Sequence, residues 1–195
     1  MKRTYFNELA PRWDELPAPP DAPEKVARFA AVAVPPGASR ILDVGCGTGI
    51  LVEHLRRNSS GLTVELDMAE RMLALNRARS NGPCFAHVCG DALHPPFVSG
   101  SFDAVLCFNA LPHFDPPEGT LRSLVECLCP GGLLSVGHLM DSAALNAFHA
   151  SLGGAVANDR LPPAPELAGL LESIGTEVIR REESEGWYLV QVRRL

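Results

Sequence analysis

The stretch Ile41–Leu55, "ILDVGCGTGILVEHL", sets an apolar run, three glycines within five positions and an amphipathic run in direct succession. The pattern predicts a strand, a turn and a helix, and glycines at 45, 47 and 49 leave no Cβ between the turn and whatever approaches it. Dinucleotide-binding turns read GxGxxG, with pyrophosphate on the helix N-terminus. Here the third glycine stands at 49, and position 50 is isoleucine. Asp43 precedes the first glycine by two residues, where a carboxylate would repel a pyrophosphate. The turn therefore suits a ligand with a cationic or hydrogen-donating part. A plain turn of glycines at positive φ accounts for the motif taken alone equally well.

Outward from this stretch, strands and helices alternate. "EKVARFAAVAV" (24–34) has helical spacing and stops at Pro35-Pro36-Gly37. "RILDV" (40–44) reads as a strand and 48–58 as a helix with Leu51, Val52 and Leu55 on one face. "LTVELD" (62–67) is a second strand, and the helix over 68–80 opens on the capping pattern Asp67-x-x-Glu70. "CFAHVCG" (84–90), "FDAVLCF" (102–108) and "LLSVGH" (133–138) are further strands. A helix over 118–128 separates the last two and closes at Pro130-Gly131-Gly132. Weaker helices near 141–151 and 164–174 precede "TEVIRRE" and "WYLVQVRRL", which Glu183 to Gly186 can join as a hairpin. Such alternation predicts a doubly wound α/β sandwich, mostly parallel, with an antiparallel C-terminal strand and ligands at the carboxyl ends of its strands.

One domain over residues 1–195 is expected. It divides into an N-terminal lid or cap segment (1–23), a cofactor-binding core (24–138), an insertion near the acceptor site (139–163) and a terminal helix and hairpin (164–195). Net charge is −6, from 17 basic against 23 acidic residues, with no basic tract. That argues against a nucleic-acid partner held through its phosphates. No apolar run is long enough to span a bilayer, and the N-terminus lacks the core of a secretory signal. The chain reads as cytoplasmic, a monomer or homodimer without membrane contact, and its six scattered cysteines as reduced thiols. Asp67 ends the second strand, where an acid can bind a ribose diol or cap the next helix. Asp91, ending the third, can serve a ligand or a turn.

"ILDVGCGTG", "VELDMAERML", "GDALHPPFVSGSFDAVLCFNALPHF" and "LCPGGLL" together resemble the successive motifs of class I S-adenosylmethionine-dependent methyltransferases, over roughly residues 38 to 138. The resemblance implies a seven-stranded Rossmann-like sheet with its seventh strand antiparallel. It also implies methyl transfer from S-adenosyl-L-methionine to a small-molecule acceptor, leaving S-adenosyl-L-homocysteine. Asp43 and the backbone of Gly45, Cys46, Gly47 and Gly49 would hold the methionine portion. Asp67 would take the ribose hydroxyls, Met68 would pack on adenine, and Asp91 with the Ala92 N–H would bind the adenine edge. Asn109 and Ala110 would border the methyl group. "YFNELAPRWDEL" resembles the segment that folds over the cofactor in small-molecule members, with Tyr5, Phe6 and Trp13 as apolar anchors. An amphipathic helix docked for stability reads the same way.

Methyl transfer mainly needs alignment and exclusion of water, so a base is optional. His113 and His138 are the catalytic candidates, His138 as the histidine facing acceptor at the strand rim. Tyr5, Trp13 and His149 are acceptor candidates, His149 also reading as a surface residue. Spacings of 25 and 11 residues between the histidines match no compact metal motif, so no metal is expected. The rival readings are a non-catalytic S-adenosylmethionine-binding module and a nicotinamide-dependent oxidoreductase, the latter disfavoured by the glycine spacing and Asp43.

Overall fold

The computed structural model describes residues 1–59 and 61–195. Its strands are β1 (Arg40–Val44), β2 (Leu62–Asp67), β3 (Phe85–Cys89), β4 (Phe102–Phe108), β5 (Leu128–His138), β6 (Thr176–Ser184) and β7 (Trp187–Arg194). They form one sheet in the order β3-β2-β1-β4-β5-β7-β6. β7 runs antiparallel to both neighbours and every other pairing that links β1 to β5 is parallel. The chain moves outward from β1 to β3, then returns to place β4 on the other side of β1. Loops leaving β1 and β4 therefore diverge, and a crevice opens between them at the carboxyl edge.

Strand parity sorts the side chains into two cores. Leu42 and Val44 of β1, Val105 and Cys107 of β4, and Tyr188, Val190 and Val192 of β7 face one side. There they meet Leu121, Leu124 and Val125 of α5 (Pro117–Cys127) and Leu167, Ala168 and Leu171 of α7 (Ala164–Ser173). Ile41, Leu106, Phe108 and Leu189 take the opposite parity and pack on Phe29, Ala30 and Ala33 of α2 (Ala22–Ala33). Leu51 and Leu55 join this second core from the start and body of α3 (Val52–Asn58). Among the described residues no helix is long and apolar enough to cross a membrane.

Three expectations need correction. The helix expected from residue 48 starts at Val52, because the glycine turn runs to Leu51. β5 begins at Leu128 rather than 133. Pro130 and Gly131 sit in an irregularity of the strand, where its register against β4 slips between Phe102 and Ala104. The capping box at Asp67-x-x-Glu70 does not form: α4 (Glu70–Arg79) has Ala69 at its N-cap and no side-chain cap. Glu70 instead turns outward to Arg3 and Asn7 of α1 (Lys2–Leu9).

Gly137 marks the tightest point of the second core. A Cβ there would lie 2.4 Å from Cδ2 of Phe29 and 3.2 Å from Phe108. Both rings are buried, so neither can swing away without displacing α2. Gly137→Ala should cost about 1–3 kcal/mol by overpacking, read as a lowered urea midpoint at unchanged m-value.

Candidate functional site

A cavity of about 170 Å³ opens at the carboxyl ends of β1 to β4. Gly45, Gly47, Asp67, Met68, Asp91, Ala92, Asn109 and Ala110 all contribute to its wall. Gly45 adopts φ +66, and a Cβ there would stand 2.5 Å from Cβ of Ala110. Only glycine lets the turn after β1 press so closely on the end of β4. Gly47 adopts φ +53 with nothing within 4 Å of its Cβ position, so this backbone borders open space. Asn109 also has positive φ, at +54. It is held there by its own N–H on the Gly137 carbonyl and by its Oδ1 accepting from Leu139 N at 3.1 Å. A strained residue of this kind at a strand end is a mark of functional sites.

The turn hangs from the end of β2. Leu66 O accepts from Gly45 N at 2.8 Å and Cys46 N at 3.2 Å. One oxygen of Asp67 accepts from Gly47 N at 2.9 Å and the other from Ala69 N at 2.8 Å. Asp67 thus ties the turn to the start of α4, with carboxylate lone pairs to spare. Asp91 accepts from Leu93 N at 2.9 Å, fixing its own loop.

Behind the turn lies an acid pair. Asp43 and Glu65 are direct neighbours across β1 and β2, buried on the same face. Burial, then the charges of Glu65 and Asp67, push the Asp43 carboxyl well up. Burial raises Glu65 to about 7, against the Asn76 amide that donates to its Oε2 at 2.8 Å. Like charges so placed titrate as a pair and hold a proton between them near neutrality. Ser80 Oγ donates to Asn76 and lies 2.6 Å from Nε2 of His87, so hydrogen bonds link Glu65 to the half-buried third strand.

The N-terminal segment forms one side of the cavity. Phe6 and Trp13 line it and pack on Ala69 and Met72, whereas Tyr5 meets Phe6 edge-on and is not part of the wall. Asp14 accepts from Thr48 Oγ1 at 2.7 Å and pairs with Arg79, pinning the segment to the glycine turn.

The three histidines part company. His113, in the turn Leu111–His113 after β4, lines the cavity. His138 does not: it is 2% exposed, edge-on to Tyr188, and its Nε2 is buried with no partner among the described residues. Burial above all, then His113 and His149, hold its imidazole down to about 3, so it is neutral. The rim position expected for His138 is thus an interior one. His149, on α6 (Ser142–Leu152), is likewise buried rather than at the surface, with Nδ1 3.2 Å from the Asp159 carbonyl oxygen. Its nearest ring is His113, at 5.2 Å between centroids. Lys2, Asp14, Glu65 and Asp159 escaped sequence reasoning. Only Glu65 left a signal, its place opposite Asp43 when "RILDV" and "LTVELD" pair in register.

The methyltransferase domain family matches residues 42–136. A ubiquinone biosynthesis O-methyltransferase of Xanthomonas campestris pv. campestris (strain B100) is 33% identical over 169 residues, 81% of this chain and 68% of that protein. A biotin biosynthesis bifunctional protein of Bordetella avium is 34% identical over 148 residues, 74% of this chain but 31% of that protein. Magnesium protoporphyrin IX methyltransferase from Synechocystis PCC 6803, solved with bound SAH, superposes with a TM-score of 0.76. The match covers 100% of this chain and 98% of that one at 16% identity, a likeness of fold.

Asp67→Ala leaves two backbone donors without their acceptor and should destabilise the protein by about 1–3 kcal/mol in urea unfolding. The acid pair predicts a pH dependence. Glu65 binds its proton up to about 7 when folded but only to the ordinary carboxylate range when unfolded. The folded state then holds more protons between about pH 4.5 and 7, so this contribution to stability falls as pH rises through that window. Glu65→Gln keeps an acceptor for Asn76 and should gain stability relative to wild type across the window, levelling off above it. Paired chemical melts at pH 4.5, 6 and 7.5 measure the difference; a constant difference contradicts the assignment.

Proposed function

The chain belongs to the class I S-adenosylmethionine-dependent methyltransferases, and on that premise we propose that it methylates a small-molecule acceptor bound between the glycine turn and the N-terminal segment. The carrying observation is that one cavity gathers the ends of four strands with their acids and glycines in the order the family uses them. The donor set fits the cofactor. Gly47 presents backbone to open space, Asp67 and Asp91 offer acceptors to hydroxyl and amino groups, and Met68 supplies an exposed apolar face between them. We assign the ribose to Asp67, the adenine to Met68, Asp91 and Ala92, and the methionine portion to the turn from Gly45 to Gly49. Asp43 acts from behind the turn as half of the pair with Glu65, whose one remaining negative charge favours an ammonium group. Asn109 and Ala110 border the reacting end. The cofactor supplies an electrophilic methyl carbon on a sulfonium, so the protein's own task is alignment and dryness.

Phe6 and Trp13 shut the open side with apolar surface and support a compact acceptor. The names of the Xanthomonas and Synechocystis proteins point the same way, since ubiquinone biosynthesis and protoporphyrin methylation use small molecules. Of the two catalytic candidates we retain His113, which lines the cavity, and assign His138 a packing role.

Titration calorimetry should show S-adenosylmethionine and S-adenosylhomocysteine binding, and no binding of NAD or NADP. Asp91→Ala should weaken S-adenosylhomocysteine by about 1.5–3 kcal/mol if the adenine lies there. An acceptor-library screen should then yield S-adenosylhomocysteine. Binding of a nicotinamide cofactor alone would reverse the reading, and cofactor binding without turnover on any acceptor would leave a binding module.

A further inference from the structure

Asp159 lies in the 139–163 segment, remote in sequence from every residue it serves. Its carboxylate is 6% exposed and has one partner on each oxygen. Lys2 Nζ stands 2.8 Å from Oδ1, and His113 Nδ1 stands 2.6 Å from Oδ2. Lys2 also donates to the His113 carbonyl oxygen at 3.0 Å. Phe6 meets the His113 ring edge-on, 4.9 Å between centroids. Burial pushes the Asp159 carboxyl up, but the hydrogen bonds from His113 and Lys2 outweigh it and hold the group below its ordinary range. Asp159 is therefore ionised, and an ionised carboxylate only accepts. A His113 ring with a single proton must hold it on Nδ1, which leaves a lone pair on Nε2. Nε2 has no partner among the described residues, and His113 lines the same cavity as Asn109 and Ala110.

We propose that Asp159 is a positioning residue that fixes His113 in its Nδ1–H form, so that Nε2 takes the proton from a hydroxyl or phenol acceptor. This rests on the methyl-transfer reading above. A hydroxyl keeps its proton at neutral pH and is a poor nucleophile until that proton has somewhere to go; a carboxylate or a tertiary amine has no proton to lose. As the acceptor oxygen bonds to the methyl carbon, the carbon–sulfur bond breaks with its electron pair left on sulfur, and the acceptor proton passes to Nε2. The imidazolium so formed is stabilised by Asp159 and later releases its proton to water. Lys2, which can only donate, holds an acceptor atom at the Oδ1 position; both atoms of Asp159 are oxygen, so this selects an atom only where residue 159 is an amide. The N-terminal helix and the base thus share one carboxylate. Among the described residues, His149, His138 and Asp67 also feel the charge of His113, and Asp115 lines the same cavity.

Asp159→Asn turns this geometry into a test. Lys2 would hold the amide oxygen, the amide nitrogen would donate to Nδ1, and the ring proton would move to Nε2. Nitrogen-15 spectra of histidine-labelled full chain with S-adenosylhomocysteine, assigned by loss of the signal in His113→Asn, should show Nδ1–H in wild type and Nε2–H in Asp159→Asn. Turnover of phenols and aliphatic alcohols should fall on the order of 10²-fold or more in kcat, with KM and S-adenosylhomocysteine affinity nearly unchanged. Lys2→Gln should keep the Nδ1–H form and lose far less rate. Nε2–H in the wild type overturns the proposal, whether or not the variant folds. So does a loss in Asp159→Asn no greater than in Lys2→Gln, or turnover confined to acceptors without an ionisable proton. Failure of S-adenosylhomocysteine to bind would instead strike the functional reading on which the proposal rests.

Discussion

Two hydrogen bonds to Asp67 organise the carboxyl edge of the sheet. One from Gly47 N and one from Ala69 N make a single side chain the joint between the glycine turn and α4. The turn could not hang there if its first residue carried a Cβ, because Gly45 sits against Ala110 at the end of β4. Once the turn and α4 are set, α4 offers Met72 to Phe6 and Trp13, and Glu70 to Arg3 and Asn7. The cavity wall supplied by the N-terminal segment is therefore a consequence of how β2 ends. The carboxylate retains lone pairs for a ligand while performing this structural work.

Acids concentrated at one edge carry a cost that the fold manages in two ways. Asp43 and Glu65 are desolvated and mutually repulsive, and a shared proton relieves both effects. Asp159 is also buried but is matched by Lys2 and His113, so it stays ionised. The pair behind the turn then carries one charge rather than two, and Asp159 keeps its own, held between Lys2 and the cavity-lining His113.

Period and punctuation made the sheet legible. "RILDV" and "FDAVLCF" put apolar residues on two faces, which are the two cores, and "LTVELD" gives Val64 and Leu66 to the first of them. The cavity-lining positions Gly45, Asp67, Met68, Asp91, Asn109 and Ala110 were legible because each lies within a residue or two of a strand's carboxyl end. What stayed hidden depends on contacts between distant residues. Lys2 meets Asp159 only after α1 crosses the cavity, and no local pattern in "ANDR" marks an acid that binds a histidine 46 positions earlier. His138 looked like a rim residue because it ends a strand, but Tyr188 of the neighbouring antiparallel strand pairs opposite it and the interior closes around it. Asp67-x-x-Glu70 matched a capping box by spacing alone, whereas the acid had already been taken by the glycine turn.

The central claim is that the crevice between β1 and β4 holds S-adenosylmethionine through the turn, Asp67 and Asp91. A crystal structure of the chain with S-adenosylhomocysteine tests it most directly. The account predicts ribose hydroxyls on the Asp67 carboxylate, adenine on Met68 with its amino group at Asp91, and the homocysteine tail over the Gly45–Gly49 backbone with sulfur directed toward Asn109 and His113. A ligand bound elsewhere, or one in this crevice with its adenine at the glycine turn, would contradict it.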